Sequence, residues 1–417
     1  MKIPRLYYLN QLVSGMGNGF IKIVTGLRRC GKSYLLYTLF ADFLKESGID
    51  ENHIIKVDLE DIRNIELRDP LNLVRHIDSR MRDGAMYYIL LDEVQHVERF
   101  VDVLNSYLKI ENADVYVTGS NSKFLSSDIV TEFRGRGDEI HIYPLTFAEI
   151  CSVNEGDKSE LWRDYITYGG LPHILSLDSH QKKATYLKNL YKTVYLRDLE
   201  ERNKISKVTE FDELVHIIAS SIGSPCNPAK LANTFNSVSK SELSRQTVAT
   251  YLGYMEDAFL IEKAQRYDVK GKKYINTLSK YYHTDIGVRN AILDFRQQEE
   301  THIMENVIYN ELLVRGYSVD VGMVEVKGRD ADNEWYRRQL EVDFVANMAS
   351  KRYYIQSALA IPDKEKMKQE SASLRNISDT FKKIIIVREH INPWYTEDGI
   401  LILGLFDFLL KSESLDF

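Results

Sequence analysis

The run Gly26-Leu27-Arg28-Arg29-Cys30-Gly31-Lys32-Ser33 constrains the fold more than any other feature of the chain. It fits GxxxxGK[ST], follows a short β-branched stretch (Ile21 to Thr25) and opens an amphipathic helical stretch (Lys32 to Ser47). A glycine-framed turn between a strand and a helix aims backbone N–H groups at a phosphate, and the helix N-terminus adds favourable partial charge. In that geometry Lys32 reaches the β- and γ-oxygens of a nucleotide, the Ser33 hydroxyl ligates Mg²⁺, and Tyr34 follows in the first helical turn. The plain alternative is a strand-to-helix turn that happens to carry a lysine. The flanking strand and helix decide against it.

Four further runs have the β-branched and aromatic character of strands buried on both faces: His53 to Asp58, Tyr87 to Leu91, Asp114 to Thr118 and Glu139 to Tyr143. Helical stretches separate them. Strands alternating with helices predict an α/β layer fold with a parallel sheet. The strand Tyr87-Tyr88-Ile89-Leu90-Leu91 runs into Asp92-Glu93. By itself such an ending is common and structural. Paired with the phosphate loop, it predicts that Asp92 holds Mg²⁺ through water and that Glu93 polarises the attacking water.

The strand Val115-Tyr116-Val117-Thr118 leads to Gly119-Ser120-Asn121. Asn121 either touches the γ-phosphate and orients water or caps a helix. Arg134 and Arg136, in Arg134-Gly135-Arg136-Gly137, either reach a neighbouring subunit's γ-phosphate or belong to a solvated basic loop.

A chain of 417 residues predicts two or three domains. The division expected here is a phosphate-loop core over 1–155, a helical lid over 156–205, a winged helix-turn-helix over 206–290 and a further α/β domain over 291–417. The third helix of the winged module (Ser244 to Ala258) is expected to bury Val248, Tyr251, Leu252 and Met255 and to leave Arg245, Gln246 and Thr250 outside. A hairpin follows, turning at Lys270-Gly271-Lys272 and carrying Lys263, Arg266, Lys273 and Lys280.

With 54 Lys+Arg against 61 Asp+Glu the formal charge is −7, which argues against coating nucleic acid or anionic membrane through bulk charge. DNA binding would need the local basic hairpin, and the alternative is a regulatory module whose lysines are simply solvated. No run approaches the ~18 apolar residues of a membrane helix. The isolated Cys30, Cys151 and Cys226 suit a reducing cytoplasm, the expected location.

The ordered set of motifs resembles the bacterial and archaeal AAA-type ATPases in which the core is followed by a domain of unknown function, relatives of the STAND ATPases. The residues carrying the likeness are Thr25 to Ser33, Leu91-Asp92-Glu93-Val94-Gln95, Gly119-Ser120-Asn121-Ser122, and Arg134-Gly135-Arg136 leading to Tyr143-Pro144-Leu145. Tyr168-Gly169-Gly170-Leu171-Pro172 and Tyr195-Leu196-Arg197-Asp198 match as well. The resemblance implies ATP as the nucleotide, with Pro172 packing near the adenine; from the residues alone Gly170-Leu171-Pro172 is an ordinary helix-ending turn. It also implies a C-terminal fold like the PD-(D/E)xK nucleases. Here Glu305 and Asp343 supply two of the acids that fold needs, but Gln356 and Ala358 stand where the third acid and the lysine belong. Nuclease activity is therefore not expected.

Two functions follow from the sequence. One is a Mg²⁺-dependent ATPase coupling nucleotide state to lid and winged helix. The other is a nucleotide-gated switch or DNA-binding regulator with little turnover. A protein partner or self-assembly is compatible with either.

Overall fold

The computed structural model describes residues 2–119, 135–239, 241–329 and 335–417. They form two compact units, the first comprising the chain up to Leu145 with Leu171–His173 and Asp257–Phe259, and the second the remainder.

The first unit is a five-stranded parallel sheet. Its strands are β1 (Ile21–Thr25), β2 (Ile54–Asp58), β3 (Tyr87–Asp92), β4 (Ala113–Thr118) and β5 (Gly137–His141), in the spatial order β2-β3-β4-β1-β5. The alternation predicted from sequence is thus observed, with the last strand starting two residues earlier than expected. Period-2 alternation sends Ile21, Ile23, Ile55, Val57, Ile89, Leu91, Val115 and Val117 to one face. There they pack against Leu73 and Ile77 of the helix Pro70–Asp78 and Val103 and Leu104 of the helix Phe100–Tyr107.

On the other face the Phe40 ring meets Tyr116 at 4.5 Å and Tyr88 at 6.5 Å. Phe40 belongs to the helical run over 32–46, whose middle (Leu35–Phe40) is a π-helical turn. Helices on both faces are what an all-parallel sheet requires.

The second unit starts with helices. Among them Val208–Ser220, Pro228–Val238 and Arg245–Asp257 precede a hairpin of β6 (Ile261–Asp268) and β7 (Lys273–His283). Val248, Tyr251, Leu252 and Met255 are buried and Arg245, Gln246 and Thr250 exposed, matching the expected faces. The hairpin does not stand alone. Strands β8 (Ser318–Arg329), β9 (Trp335–Met348), β10 (Lys351–Ala358), β11 (Lys382–Val387), β12 (Trp394–Tyr395) and β13 (Ile400–Gly404) join it in one eight-stranded sheet, ordered β12-β13-β11-β10-β9-β8-β6-β7.

The joint is a parallel pairing of Arg266–Asp268 with Val321–Met323. A division at 290/291 therefore falls between paired strands, because β6 satisfies the backbone edge that β8 would otherwise expose. No described helix is long and apolar enough to cross a membrane.

One interlock in this unit has no local sequence signal. Gly170 N–H donates to Asp285 Oδ2 at 2.8 Å, while Asp285 Oδ1 accepts from Val288 N–H at 2.9 Å and so caps the helix Ile286–Ile292. Burial pushes the Asp285 carboxyl up to about 6, against the backbone N–H groups that stabilise its charge. The backbones approach so closely that a Cβ on Gly287 would lie 2.0 Å from the Tyr168 carbonyl oxygen, and one on Gly169 would lie 2.3 Å from Asp285 Oδ1.

Candidate functional site

The register of the first sheet assembles the site. β1 lies between β4 and β5, with Val24 opposite Thr118 and Thr25 opposite His141. The chain then leaves β1 at Gly26, at the carboxyl end of the sheet, where ligands of open α/β folds bind. Gly26 has φ +139°, and a Cβ there would stand 2.1 Å from the Ile142 carbonyl oxygen, so only glycine fits. Arg29 (φ 69°) and Gly31 (φ 106°) complete the left-handed turns that curl the loop.

Leu27 and Cys30 are buried beneath the loop, and the Cys30 thiol points at the Ile142 carbonyl. Arg28 pairs with Glu60 at 2.7 Å. Lys32 is only 4% exposed, and its ammonium donates to the Gly26 and Leu27 carbonyls at 3.0 and 3.2 Å, spanning the loop it follows. Tyr34 comes next in the same helix, its hydroxyl buried.

One hydroxyl, that of Thr118, joins the two acids. Burial pushes the Asp92 carboxyl up from the usual carboxylate range, while hydrogen bonds from Thr118 and Ser33 pull it down. The Thr118 hydroxyl donates to Asp92 Oδ1 at 2.5 Å and accepts the Glu93 backbone N–H at 2.8 Å. Glu93 is held in the left-handed region (φ 52°, ψ 51°), and Gln95 donates to its carboxylate. A non-glycine residue in that region costs about 1 kcal/mol or more and persists where its surroundings over-determine it. Thr118 thus ties Asp92 to Glu93, and Ser33 at the end of the loop acts on the same Asp92 carboxylate.

Thr118 is a candidate site residue the sequence reasoning passed over. Its signal was available, since it ends a strand neighbouring both acid and loop, but pairing of β3 with β4 was needed to point it at Asp92. Thr118→Val keeps shape and removes the hydroxyl. We expect it to lower nucleotide turnover about tenfold and stability by about 1–3 kcal/mol, because two buried groups lose their partner. A phosphate-release assay beside urea unfolding checks both.

Three more residues border the loop. The buried Arg5 guanidinium donates to the Cys30 carbonyl at 3.1 Å and the Tyr143 carbonyl at 2.8 Å, with Tyr8 under its plane. Nothing in its neighbourhood in sequence marks it. His141 Nδ1 lies 3.1 Å from Thr25 Oγ1, and burial, with the Lys32 charge second, brings its pKa down to about 4, so the imidazole is neutral. Pro172 lies against the loop: a Cβ on Gly31 would be 3.7 Å from its ring.

The remaining sequence candidates divide. Asn121 and Arg134 lie outside the described residues. Arg136 is exposed and immediately precedes β5, where its carbonyl accepts the Ile21 N–H at 3.0 Å. That is the amino end of the sheet, about 13 Å along β5 from the loop end. The structure does not bring Arg136 to this chain's own phosphate loop. Both of its readings, a role toward another subunit and a solvated basic loop, stay open, since the parallel register puts the two ends of β5 at opposite ends of the sheet.

Comparison with known proteins places the first unit in a described family. Residues 18–151 match a family described as an AAA domain, and residues 159–299 match a domain of unknown function. A protein of Haemophilus influenzae, described as uncharacterized, is 33% identical over 416 residues, covering 98% of this chain and 99% of its own. The chain belongs to the AAA-domain family. The AAA match contains Gly26 to Ser33, Asp92, Glu93 and Thr118. An uncharacterized protein of Methanocaldococcus jannaschii is 29% identical over 341 residues, 78% of this chain and 71% of its own. A Walker-type ATPase of Pyrococcus abyssi is similar in structure with a TM-score of 0.49 at 14% identity, over 70% of this chain and 96% of that one. The second match ends at 299, between β7 and β8 of the eight-stranded sheet of this AAA protein.

Proposed function

We propose that this AAA protein is a Mg²⁺-dependent ATPase that uses its nucleotide state to set a helical lid and a winged helix. The observation that carries the reading is the Thr118 hydroxyl, which hydrogen-bonds both Asp92 and Glu93, with Ser33 at the end of the phosphate loop acting on the same Asp92 carboxylate. A hydroxyl beside a carboxylate is a hard oxygen donor set, suited to Mg²⁺. When bound, Mg²⁺ neutralises charge on the β- and γ-phosphates.

The chain's own groups do the rest. The backbone N–H groups of 27–33 and the helix N-terminus cradle the phosphates, and Lys32 turns its ammonium toward them. Glu93, fixed by Thr118 and Gln95, accepts a hydrogen bond from the attacking water and aligns it. Asn121 assists in positioning that water, Pro172 lies near the adenine, and Arg134 or Arg136 acts on the γ-phosphate of another subunit. The C-terminal strands form a nuclease-like fold that does not cleave phosphodiesters.

A second reading, a DNA-binding regulator gated by nucleotide, has one observation in its favour: the exposed Arg245, Gln246 and Thr250 on the helix before the hairpin. Against it, Lys280 is buried and the ammonium of the exposed Lys270 donates to the Glu325 carbonyl at 2.8 Å, so two of the five hairpin lysines are already engaged within the chain.

The test is steady-state ATP hydrolysis with Mg²⁺, wild type beside Glu93→Gln, with and without duplex DNA. Turnover should fall about a hundredfold in Glu93→Gln while ATP stays bound. Acceleration by DNA would bring in the second reading. Failure of the wild type to bind ATP would sink both.

A further inference from the structure

Four charged side chains from three elements converge inside the second unit. The Lys280 ammonium, from β7, donates to Glu305 Oε1 at 2.8 Å and lies 2.8 Å from Glu341 Oε1 and 4.0 Å from Asp343 Oδ1. Glu305 comes from the helix Glu300–Val314, and Glu341 and Asp343 come from β9. The Tyr282 hydroxyl donates to Glu305 Oε1 at 2.6 Å, and Ser357 N–H donates to Asp343 Oδ2 at 2.8 Å. Lys280, Glu305 and Asp343 are buried, while Glu341 is partly exposed and opens the centre to solvent.

The charge balance is uneven. Three carboxylates face one ammonium, and a low-dielectric setting makes each uncompensated charge costly. Burial, with the Glu305 charge second, accordingly drives the Asp343 carboxyl upward. Gln356 and Ala358 on β10 contribute no charge, so the only cation among the described side chains here enters from the hairpin strand. Carboxylate oxygens around an ammonium sit wider than the ~2.0–2.6 Å of Mg²⁺ or Ca²⁺ ligands. Consistently, no group of three or more His, Cys, Asp or Glu among the described residues is arranged to hold a metal ion.

We propose that Lys280 is the resident cation of this centre. It holds the place a hard divalent cation would take among Glu305, Glu341 and Asp343, so the native chain takes no metal there. Deleting the ammonium opens a divalent-cation site. The same contact ties the hairpin that follows the three helices to the C-terminal strands.

The experiment titrates Mn²⁺ into the full-length, nucleotide-free protein, reading free Mn²⁺ by electron paramagnetic resonance and the thermal midpoint in parallel. Wild type and Asp343→Asn should bind Mn²⁺ equally. Lys280→Ala should bind one further equivalent, lost again in Lys280→Ala/Asp343→Asn, and Mn²⁺ should raise its lowered thermal midpoint. Folding of Lys280→Ala only in the presence of Mn²⁺ would support the proposal equally well. Asp343-dependent binding in wild type would overturn it, and so would a folded Lys280→Ala without the extra equivalent. A Lys280→Ala chain that stays unfolded at saturating Mn²⁺ would also overturn it, by showing that a divalent ion cannot replace the ammonium.

Discussion

Alanine at position 32 is expected to cut ATP turnover by about a thousandfold or more, the scale on which preorganised charge at a transferring phosphoryl group acts. The ammonium holds the Gly26 and Leu27 carbonyls in the resting loop and is the one positive side chain of the loop that is buried there, Arg29 being exposed and Arg28 paired with Glu60. Arginine should not rescue. Its planar fork is wider than an ammonium and would have to fit a space closed by two carbonyls. The fold should survive, since the lost hydrogen bonds are each worth about 1 kcal/mol. Phosphate release, equilibrium binding of a fluorescent ATP analogue and thermal unfolding together separate these effects. Turnover near that of wild type in a folded Lys32→Ala protein would remove the phosphate loop from the mechanism.

The second large effect is structural. Gly287→Ala is expected to destabilise the second unit by about 4 kcal/mol or more, beyond the usual range for overpacking. The added Cβ would run into the peptide unit between Tyr168 and Gly169: Tyr168 O at 2.0 Å, Tyr168 C at 2.3 Å and Gly169 N at 2.8 Å. Backbone atoms cannot rotate out of the way as a side chain can. Relief would require separating the Tyr168–Gly170 segment from the helix that Asp285 caps, breaking the Gly170 N–H bond to a buried carboxylate.

Gly253→Ala is the control. It lies within the helix Arg245–Asp257 with nothing within 4 Å of its Cβ position, so alanine there should be neutral or stabilising by up to about 1 kcal/mol. Urea unfolding followed by circular dichroism measures both. Equal stability of the two variants would refute the close approach.

Residues near in sequence carried the legible part of this protein. The strand–loop–helix of Ile21 to Ser47 specifies itself, because glycine at positive φ, lysine and serine at fixed offsets, and β-branched strand residues all act within a few peptide units. Asp92-Glu93 at a strand end was legible for the same reason, and so were the buried and exposed faces of Arg245–Asp257, where a 3.6-residue period needs no partner to be seen.

What remained hidden depends on which elements become neighbours. Thr118 became the bridge between the two acids only when β4 paired beside β3, 26 residues from Asp92 in sequence. Sequence tells only that Arg136 precedes a core strand; the parallel direction of β5 puts it at the end of the sheet away from the loop. The glycines at 169 and 287 look like ordinary turn and helix residues until Tyr168 and Asp285 are brought together. The hairpin lysines look alike in sequence, yet the fold gives Lys280 a buried place among three carboxylates while Lys272 and Lys273 stay in solvent. A local pattern determines which conformation a segment prefers. Hydrogen-bond partners, close approaches and buried charge are through-space quantities, and only the tertiary structure decides them.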